Sequence, residues 1–392
     1  MLGRSIAWLA AWSLLGGCHY FPDHYLVHPK RPQPSLVTWK EDVTAGDLLI
    51  HLLGAQAPGN GPFPTILVHP EGGKTAVDMQ GILWDLAERG YVAIAADYER
   101  RIDGEYQRSL FAWRSPGDVI AVLDAVTDRR GVDPRRLGVL GFSQGGVFSL
   151  LIAAHAPRRV AAVVSYYPVT DFPHWLNHEN ASLGQRFGFV FVRWYFRRES
   201  GARTDAEYQA MLLGASPYYV AEWIQAPVLL VHGDSDTTAP VQESRRMAER
   251  LSSLGKPVEL MVVPGAVHIF NFRQEREAAL AWETTIQWFD RYLRPRYFPS
   301  PVSGTPSQAR RSRSKGEFST AMVGARIFVR ACLLSKPGQS PALAQLGSPL
   351  RAKASQASCR AVANFCSAGP RPQKLSIPGT SSVPKTKASS SA

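Results

Sequence analysis

The sequence predicts an α/β fold in which a mostly parallel central sheet carries helices on both faces. Short apolar runs bounded by Gly or Pro alternate with longer segments of helical apolar spacing. Strands separated by helix-length connections pair in parallel. The strands are also apolar throughout, as in residues 91–96 (YVAIAA), which is typical of strands buried on both faces.

The predicted elements follow one another along a single domain, residues 36–295. Seven apolar runs are predicted strands: residues 47–53, 65–69, 91–96, 137–140, 160–165, 227–232 and 258–263. Five segments are predicted helices: residues 78–89, 115–128, 144–155, 241–254 and 276–293. Ser115 followed by Pro116 is a start signal for the second of these helices.

Residues 174–215 interrupt the alternation. They lie between two predicted strands and are rich in aromatic residues, including Trp175, Phe187, Phe189, Phe191, Trp194, Tyr195 and Phe196. We interpret them as a helical insertion. Two hypotheses remain, a lid over the functional site and an ordinary crossover with an aromatic face.

Residues 1–18 have the pattern of a bacterial lipoprotein signal peptide. Arg4 precedes an apolar run at residues 6–17 that is too short to span a bilayer and ends at Cys18. Small residues before that cysteine resemble a lipobox, which implies lipidation of Cys18 and a membrane-anchored protein at the periplasmic or outer-membrane face. The alternative is an ordinary cleaved signal and a soluble secreted or periplasmic protein. Residues 19–35, rich in proline, are a predicted tether.

The net charge of +12 does not describe the predicted domain. Residues 301–392 contain 14 of the 44 Lys and Arg residues and a single acid, Glu317, so the first 300 residues are nearly neutral. We therefore expect no nucleic-acid partner for the domain. Residues 296–392 are predicted to be a basic, low-complexity, disordered tail, or the product of an extended reading frame.

Cysteine usage limits the chemistry of the domain. The four cysteines are Cys18, Cys332, Cys359 and Cys366. The domain therefore has no thiol nucleophile and no cysteine-ligated metal. We predict neither a metal nor a cofactor.

The motif G-x-S-x-G at residues 141–145 (GFSQG) carries the main functional signal. It follows a predicted strand and opens a predicted helix, the context in which such a serine becomes a nucleophile on a tight turn. Side chains in place of Gly141 and Gly145 would collide across that turn. The turn exposes the hydroxyl of Ser143 and directs the helix N-terminus at a developing oxyanion.

A serine nucleophile needs a base that is oriented by a carboxylate. Asp236 follows the predicted strand at residues 227–232, and His268 follows the one at 258–263, so both lie where parallel sheets place their sites. Asp171 is the main rival for the acid, and Asp234 has the wrong spacing. His69 and His232 end strands and are predicted to be structural.

An oxyanion hole needs two backbone N–H groups. We predict that Gln144, directly after the serine, supplies one of them. Pro70 has no N–H group, so Glu71 is the candidate for the other, with Gly72 or Gly73 as the alternative.

These segments resemble the α/β-hydrolase superfamily. More narrowly, VHPEGG, DPRRLGVLGFSQGG, HGDSDTTAP and PGAVHIF are similar to the dienelactone hydrolase family, and also to the catalytic domain of prolyl-oligopeptidase-type peptidases. The nucleophile of dienelactone hydrolases is a cysteine, whereas this sequence has Ser143 at that position. The resemblance therefore implies a serine hydrolase with a Ser143–Asp236–His268 triad. Its expected substrates are small molecules, carboxylic esters or lactones.

The same resemblance implies a substrate-binding arginine shortly after the fourth strand. Arg100 and Arg101 lie near that place, and a solvated surface pair is the equal alternative. Two other functions remain open, a serine peptidase of related fold and a non-catalytic binding protein. The sequence does not specify the oligomeric state.

Overall fold

The computed structural model of the protein describes residues 27–28, 31–102, 104–108, 113, 115–177 and 183–294. They all fall within one compact unit. The predicted signal peptide, most of the tether, and the basic tail lie outside these residues, and so does Cys18.

The described residues form a nine-stranded sheet. Its strands are β1 (Val37–Ala45), β2 (Leu48–Gln56), β3 (Phe63–His69), β4 (Val92–Ile102), β5 (Glu105–Arg108), β6 (Val132–Phe142), β7 (Ala162–Tyr166), β8 (Val228–Gly233) and β9 (Val258–Val263). The spatial order is β1-β2-β4-β3-β6-β7-β8-β9, and β5 pairs with β4. Every pair from β4–β3 through β8–β9 is parallel. The predicted mostly parallel sheet is therefore confirmed.

Antiparallel pairing is confined to one end of the sheet, where β1 pairs with β2, β2 with β4, and β4 with β5. The sequence did not predict β1 or β5. The first, VTWKEDVTA, is an edge strand that is largely exposed and has no apolar run, and it packs against the core through Trp39 and Val43. The second is a four-residue polar hairpin arm. Strand β6 also begins earlier than predicted, through the polar segment 132–136.

Helices cover both faces of the sheet. They are α1 (Gln80–Glu88), α2 (Pro116–Thr127), α3 (Gln144–His155), α4 (Phe172–Leu176), α5 (Leu183–Ser200), α6 (Asp205–Gly214), α7 (Pro217–Val220), α8 (Gln242–Ser253) and α9 (Glu275–Leu293). As predicted, Ser115 caps α2, in a capping box with Asp118.

Two apolar cores explain why the strands are apolar on both sides. Leu67 of β3 packs into the core formed with α2, α3 and α8, whereas its neighbours Ile66 and Val68 pack into the core formed with α1 and α9. Successive side chains of a strand point to opposite faces, so burial of both faces requires a continuous apolar run.

The aromatic-rich segment between β7 and β8 is helical. Helices α4, α5 and α6 share a third apolar cluster of their own, formed by Trp175, Leu176, Phe189, Val192, Phe196, Tyr208 and Leu212. The hypothesis that this segment is a lid stays a prediction. In the described part of the chain, no helix combines the length and apolarity needed to cross a bilayer.

Candidate active site

Ser143 lies at the tight turn between β6 and α3, and its backbone is strained. Its φ is +51° and its ψ is −112°, a conformation that residues other than glycine rarely adopt. Two hydrogen bonds hold the turn. The N–H of Ser143 donates to the carbonyl oxygen of Tyr166 at 2.9 Å, and the N–H of Val147 donates to the carbonyl oxygen of Ser143 at 3.2 Å.

The glycines around Ser143 are required by close backbone approach. A Cβ atom on Gly141 would lie 2.0 Å from the carbonyl oxygen of Gly145. A Cβ atom on Gly145 would lie 2.2 Å from the carbonyl oxygen of His69. Both distances are far inside van der Waals contact, so no other residue fits at either position without moving the backbone.

The structure brings Ser143, His268 and Asp236 together in a line. Ser143 Oγ lies 3.1 Å from His268 Nε2, and His268 Nδ1 lies 2.6 Å from Asp236 Oδ2. In the tautomer that satisfies both contacts, Nδ1–H donates to the carboxylate and Nε2 accepts from the serine hydroxyl. This arrangement can take a proton from the hydroxyl as its oxygen attacks a carbonyl carbon.

Asp236 is buried on the loop after β8, with its carboxylate fully engaged. Its Oδ1 accepts the N–H groups of Thr238 and Ala239, each at 2.9 Å. Burial by itself would raise the pKa of Asp236, but the charge of His268 and hydrogen bonds from His232 and His268 outweigh it and hold the pKa below its usual range. The carboxylate is therefore ionised and can stabilise a protonated His268.

The rival acids have other partners. Asp171 caps α4 by accepting the N–H of His174 at 3.0 Å, and it pairs with Arg246 at 3.0 Å. Asp234 accepts the N–H of Gly265 at 2.7 Å. The carboxylate that contacts His268 is that of Asp236, and its role as the catalytic acid stays a prediction.

His232 is a structural residue, as expected for a histidine that ends a buried strand. Its Nε2 lies 2.7 Å from the carbonyl oxygen of Ala239, and its Nδ1 lies 2.7 Å from Ser244 Oγ. His232 thereby connects the loop that contains Asp236 with the first turn of α8. His69 is likewise buried, with Nε2 2.6 Å from Tyr98 Oη.

The two predicted oxyanion-hole residues lie on segments that touch. Gln144 is the first residue of α3, and Glu71 is buried two residues after β3. The carbonyl groups of His69 and Pro70, directly before Glu71, pack against Gly145 in the first turn of α3. The roles of the two N–H groups stay predictions, as does the alternative of Gly72 or Gly73.

Arg100 and Arg101 both have intramolecular partners. Arg100 Nη1 donates to Asp118 Oδ1 at 3.2 Å. Arg101 Nε donates to the carbonyl oxygen of Gly104 at 3.2 Å, and its guanidinium stacks on Tyr106. A substrate-binding role for either arginine stays a prediction.

Two residues near the site were missed by the sequence analysis. The ring of Tyr167 packs edge-on against His268 at 4.9 Å, and its φ is +37°. Trp175 Nε1–H donates to the carbonyl oxygen of Thr238 at 2.8 Å, and the N–H of the same Thr238 donates to Asp236. The place of Tyr167, one residue beyond a parallel strand, was an available signal. No sequence pattern links Trp175 to the acid.

The described residues contain no cluster of His, Cys, Asp and Glu side chains arranged to hold a metal ion.

Comparison with known proteins identifies the family and the fold. The sequence model of the prolyl oligopeptidase family matches residues 83–296, which is more than half of the chain and includes Ser143, Asp236 and His268. The uncharacterized peptidase YtmA of Bacillus subtilis is 29% identical over 210 residues, covering 52% of this chain and 76% of that protein. A Yersinia pestis protein named "Putative carboxymethylenebutenolidase" is 27% identical over 263 residues, covering 63% of this chain and 85% of that protein.

Solved structures agree on the fold. The acylaminoacyl peptidase of Pyrococcus horikoshii superposes with a TM-score of 0.54 at 18% identity, over 70% of this chain and 44% of that one. This chain therefore spans less than half the length of that peptidase. The acetyl xylan esterase of Paenibacillus sp. R4 superposes with a TM-score of 0.52 at 20% identity, over 74% of this chain and 94% of that one. The expected α/β-hydrolase fold is confirmed.

Proposed function

Because the chain belongs to the prolyl oligopeptidase family and is a hydrolase of the α/β-hydrolase fold, we propose that it hydrolyses carboxylic esters or lactones with Ser143 as nucleophile. The observation that carries the proposal is the contact of 3.1 Å between Ser143 Oγ and His268 Nε2, continued by the contact of 2.6 Å between His268 Nδ1 and Asp236. Relatives that carry the carboxymethylenebutenolidase name support the choice of an ester or lactone.

The proposed reaction has two halves. Ser143 Oγ attacks the carbonyl carbon while His268 accepts its proton, and the tetrahedral intermediate collapses to an acyl-enzyme as His268 returns that proton to the leaving alkoxide. Water then attacks the acyl group by the same route and restores the serine hydroxyl. The ionised Asp236 stabilises the imidazolium in both halves, and the N–H groups of Gln144 and Glu71 are the proposed donors to the oxyanion.

A peptidase is the second candidate, because the matching family and the relative YtmA are named for peptide hydrolysis. The two functions differ in the leaving group, an alkoxide in one case and an amine in the other. We would measure kcat/KM on nitrophenyl esters and small lactones, and on aminoacyl and N-blocked dipeptidyl nitroanilides.

Turnover of the esters or lactones without turnover of the nitroanilides is the expected result. Efficient, Ser143-dependent cleavage of the nitroanilides would identify a peptidase instead. Absence of turnover with both classes, together with no labelling by a fluorophosphonate, would leave a non-catalytic binding protein. Ser143→Ala is the matched control in each assay.

We also propose that the protein is exported and anchored by lipidation of Cys18. The support is the short apolar run behind Arg4 and the small residues before the cysteine. Wild type and Cys18→Ser would be compared by cell fractionation and by mass spectrometry of the mature N-terminus. We expect an acylated Cys18 in the membrane fraction, lost in the variant. An unmodified N-terminus at another residue would reject lipidation.

A further inference from the structure

One face of helix α5 exposes an apolar and cationic stripe. Arg186, Val190, Trp194 and Arg198 occur every fourth residue and are all exposed. Val190 and Trp194 expose 62% and 51% of their surface. Residues four apart are neighbours on a helix surface, so the four side chains form one ridge, inclined to the helix axis, with an arginine at each end.

The opposite face of α5 fixes this orientation. Phe189, Val192 and Phe196 are buried in the third apolar cluster, together with Trp175 of α4 and Leu212 of α6. The helix therefore cannot rotate the stripe inward without exposing three large apolar side chains. At one end of the stripe, the guanidinium of Arg198 lies 5.6 Å from the centre of the Trp194 ring.

The charge of α5 is almost entirely positive. Its sequence, LGQRFGFVFVRWYFRRES, contains four arginines and one acid, Glu199. Such a helix complements an anionic surface. Tryptophan favours the boundary between headgroups and acyl chains, and arginine can lay its stem on apolar groups while its guanidinium stays at the level of lipid phosphates.

The stripe is too small for a stable protein partner. A typical interface buries about 800 Å² on each partner, whereas even a fully buried aromatic side chain contributes at most about 250 Å². In the described part of this helix, Val190 and Trp194 are the large apolar side chains that expose more than half of their surface. Shallow insertion into a bilayer requires no larger apolar area, since the arginines add attraction for the phosphates.

We propose that this stripe is a docking surface for an anionic phospholipid bilayer. Val190 and Trp194 enter the headgroup region, and Arg186 and Arg198 contact lipid phosphates on either side. The contact does not require lipidation of Cys18 or catalysis at Ser143. It would hold α5 against the membrane and fix which side of the domain faces it.

The test measures insertion of one side chain, because a basic tail or a lipid anchor could bind vesicles by itself. The full chain, carrying Trp8→Phe and Trp12→Phe so that its N-terminal apolar run contributes no emission, would be mixed with vesicles of phosphatidylglycerol and phosphatidylcholine whose acyl chains carry bromine, and quenching of tryptophan fluorescence would be recorded. We expect Trp194→Phe to remove most of the quenchable emission. The double variant Arg186→Gln/Arg198→Gln should lower the vesicle partition coefficient, obtained from the dependence of quenching on lipid concentration, roughly thirtyfold.

Leu280→Asn is the matched control, since Leu280 is an exposed apolar side chain on α9. It should leave the quenching unchanged, and all variants should keep wild-type turnover of a water-soluble ester and a wild-type melting temperature. Unchanged quenching in Trp194→Phe, or equal quenching on pure phosphatidylcholine, would overturn the proposal. A dimer in solution that Trp194→Ala dissociates would also overturn it, since the stripe would then bind a second copy of the chain.

Discussion

The two sides of the candidate active site are held by different interactions. On the nucleophile side, backbone meets backbone, and Gly141 and Gly145 have no space for a Cβ atom. On the acid side, a polar network is added to a similar contact: a Cβ atom on Gly233 would lie 2.1 Å from the carbonyl oxygen of Ala266, and Asp236 is fixed by two backbone N–H groups and by His268. The position of Ser143 is therefore set mainly by shape, whereas that of His268 depends also on the polar network.

This difference predicts two kinds of defect. A side chain added on the nucleophile side has to displace backbone, so folding and turnover should fail together. A polar group changed on the acid side leaves the packing intact, so turnover should fail while the fold survives. Each prediction below tests that separation.

Gly145→Ala should have the largest effect. The added methyl group meets the carbonyl oxygens of His69 and Pro70 at 2.2 and 2.5 Å, so the segment after β3 and α3 must separate. We expect ester hydrolysis to disappear and the free energy of unfolding to fall by about 1–3 kcal/mol or more, measured by urea denaturation. Gly117→Ala at the start of α2 is the control, because its nearest contact would be Ser115 Oγ at 3.3 Å. Full activity in Gly145→Ala would contradict the steric account.

Asp236→Asn should lose turnover and keep the fold. The amide cannot stabilise a protonated His268, and kcat should fall by a factor on the order of 10³–10⁴, as for acid variants of serine hydrolases in general. Asp171→Asn is the matched control, since asparagine also caps helices and the change removes the charge facing Arg246 and one of the two oxygens near Tyr219 Oη, away from His268. Both variants would be compared by kcat and by circular dichroism. The reverse ranking would transfer the acid role to Asp171.

Trp175→Phe should have a smaller effect of the same kind. It keeps an aromatic ring in the third apolar cluster but removes the N–H that donates to the carbonyl oxygen of Thr238. Greater freedom of the acid loop should lower kcat by about tenfold, the value of roughly 1.4 kcal/mol, with little change in KM. Trp223→Phe, at the 3₁₀ turn after α7, is the control. An unchanged kcat would show that α4 does not position the acid.

How much of the fold and of the candidate site can be predicted from the sequence depends on the kind of interaction that holds each residue. The elbow at Ser143 could be predicted because steric exclusion leaves glycines in the sequence at residues 141 and 145. Asp236 and His268 could be predicted because both follow apolar strands in a parallel sheet. Trp175 could not, because its contact with a distant segment leaves no local pattern, whereas the place of Tyr167 directly after β7 is a signal that the sequence does carry. Strand β1 was missed because an exposed edge strand needs no apolar run.

A pH series tests whether a buried polar residue, His69, also affects the stability of the nucleophile side of the site. Burial lowers the pKa of His69, the last residue of β3, to about 3. Unfolded histidine takes up a proton near pH 6.5, whereas native His69 stays neutral down to about pH 3. The free energy of unfolding should therefore fall as the pH drops from 6.5 towards 3, with a contribution of up to roughly 1.4 kcal/mol per pH unit.

In His69→Gln, the free energy of unfolding should fall less steeply with decreasing pH, by up to about 1.4 kcal/mol per pH unit, which is the contribution of one proton. The measurement is urea denaturation at pH 6.5, 5.5 and 4.5. Wild type at each pH is the reference, and His51→Gln, on the exposed side of β2, is the matched histidine control. Equal slopes in wild type and His69→Gln would show that His69 does not contribute to acid sensitivity.

Covalent labelling tests the central claim most directly, that Ser143 is a nucleophile activated by His268 and Asp236. The intact protein would be treated with a fluorophosphonate, and the modified peptide would be identified by mass spectrometry in wild type, Ser143→Ala and Asp236→Asn. We predict a single adduct on Ser143 in wild type, slower labelling of the same serine in Asp236→Asn, and none in Ser143→Ala. A folded wild-type protein that stays unlabelled, or that is labelled on another serine, would contradict the account.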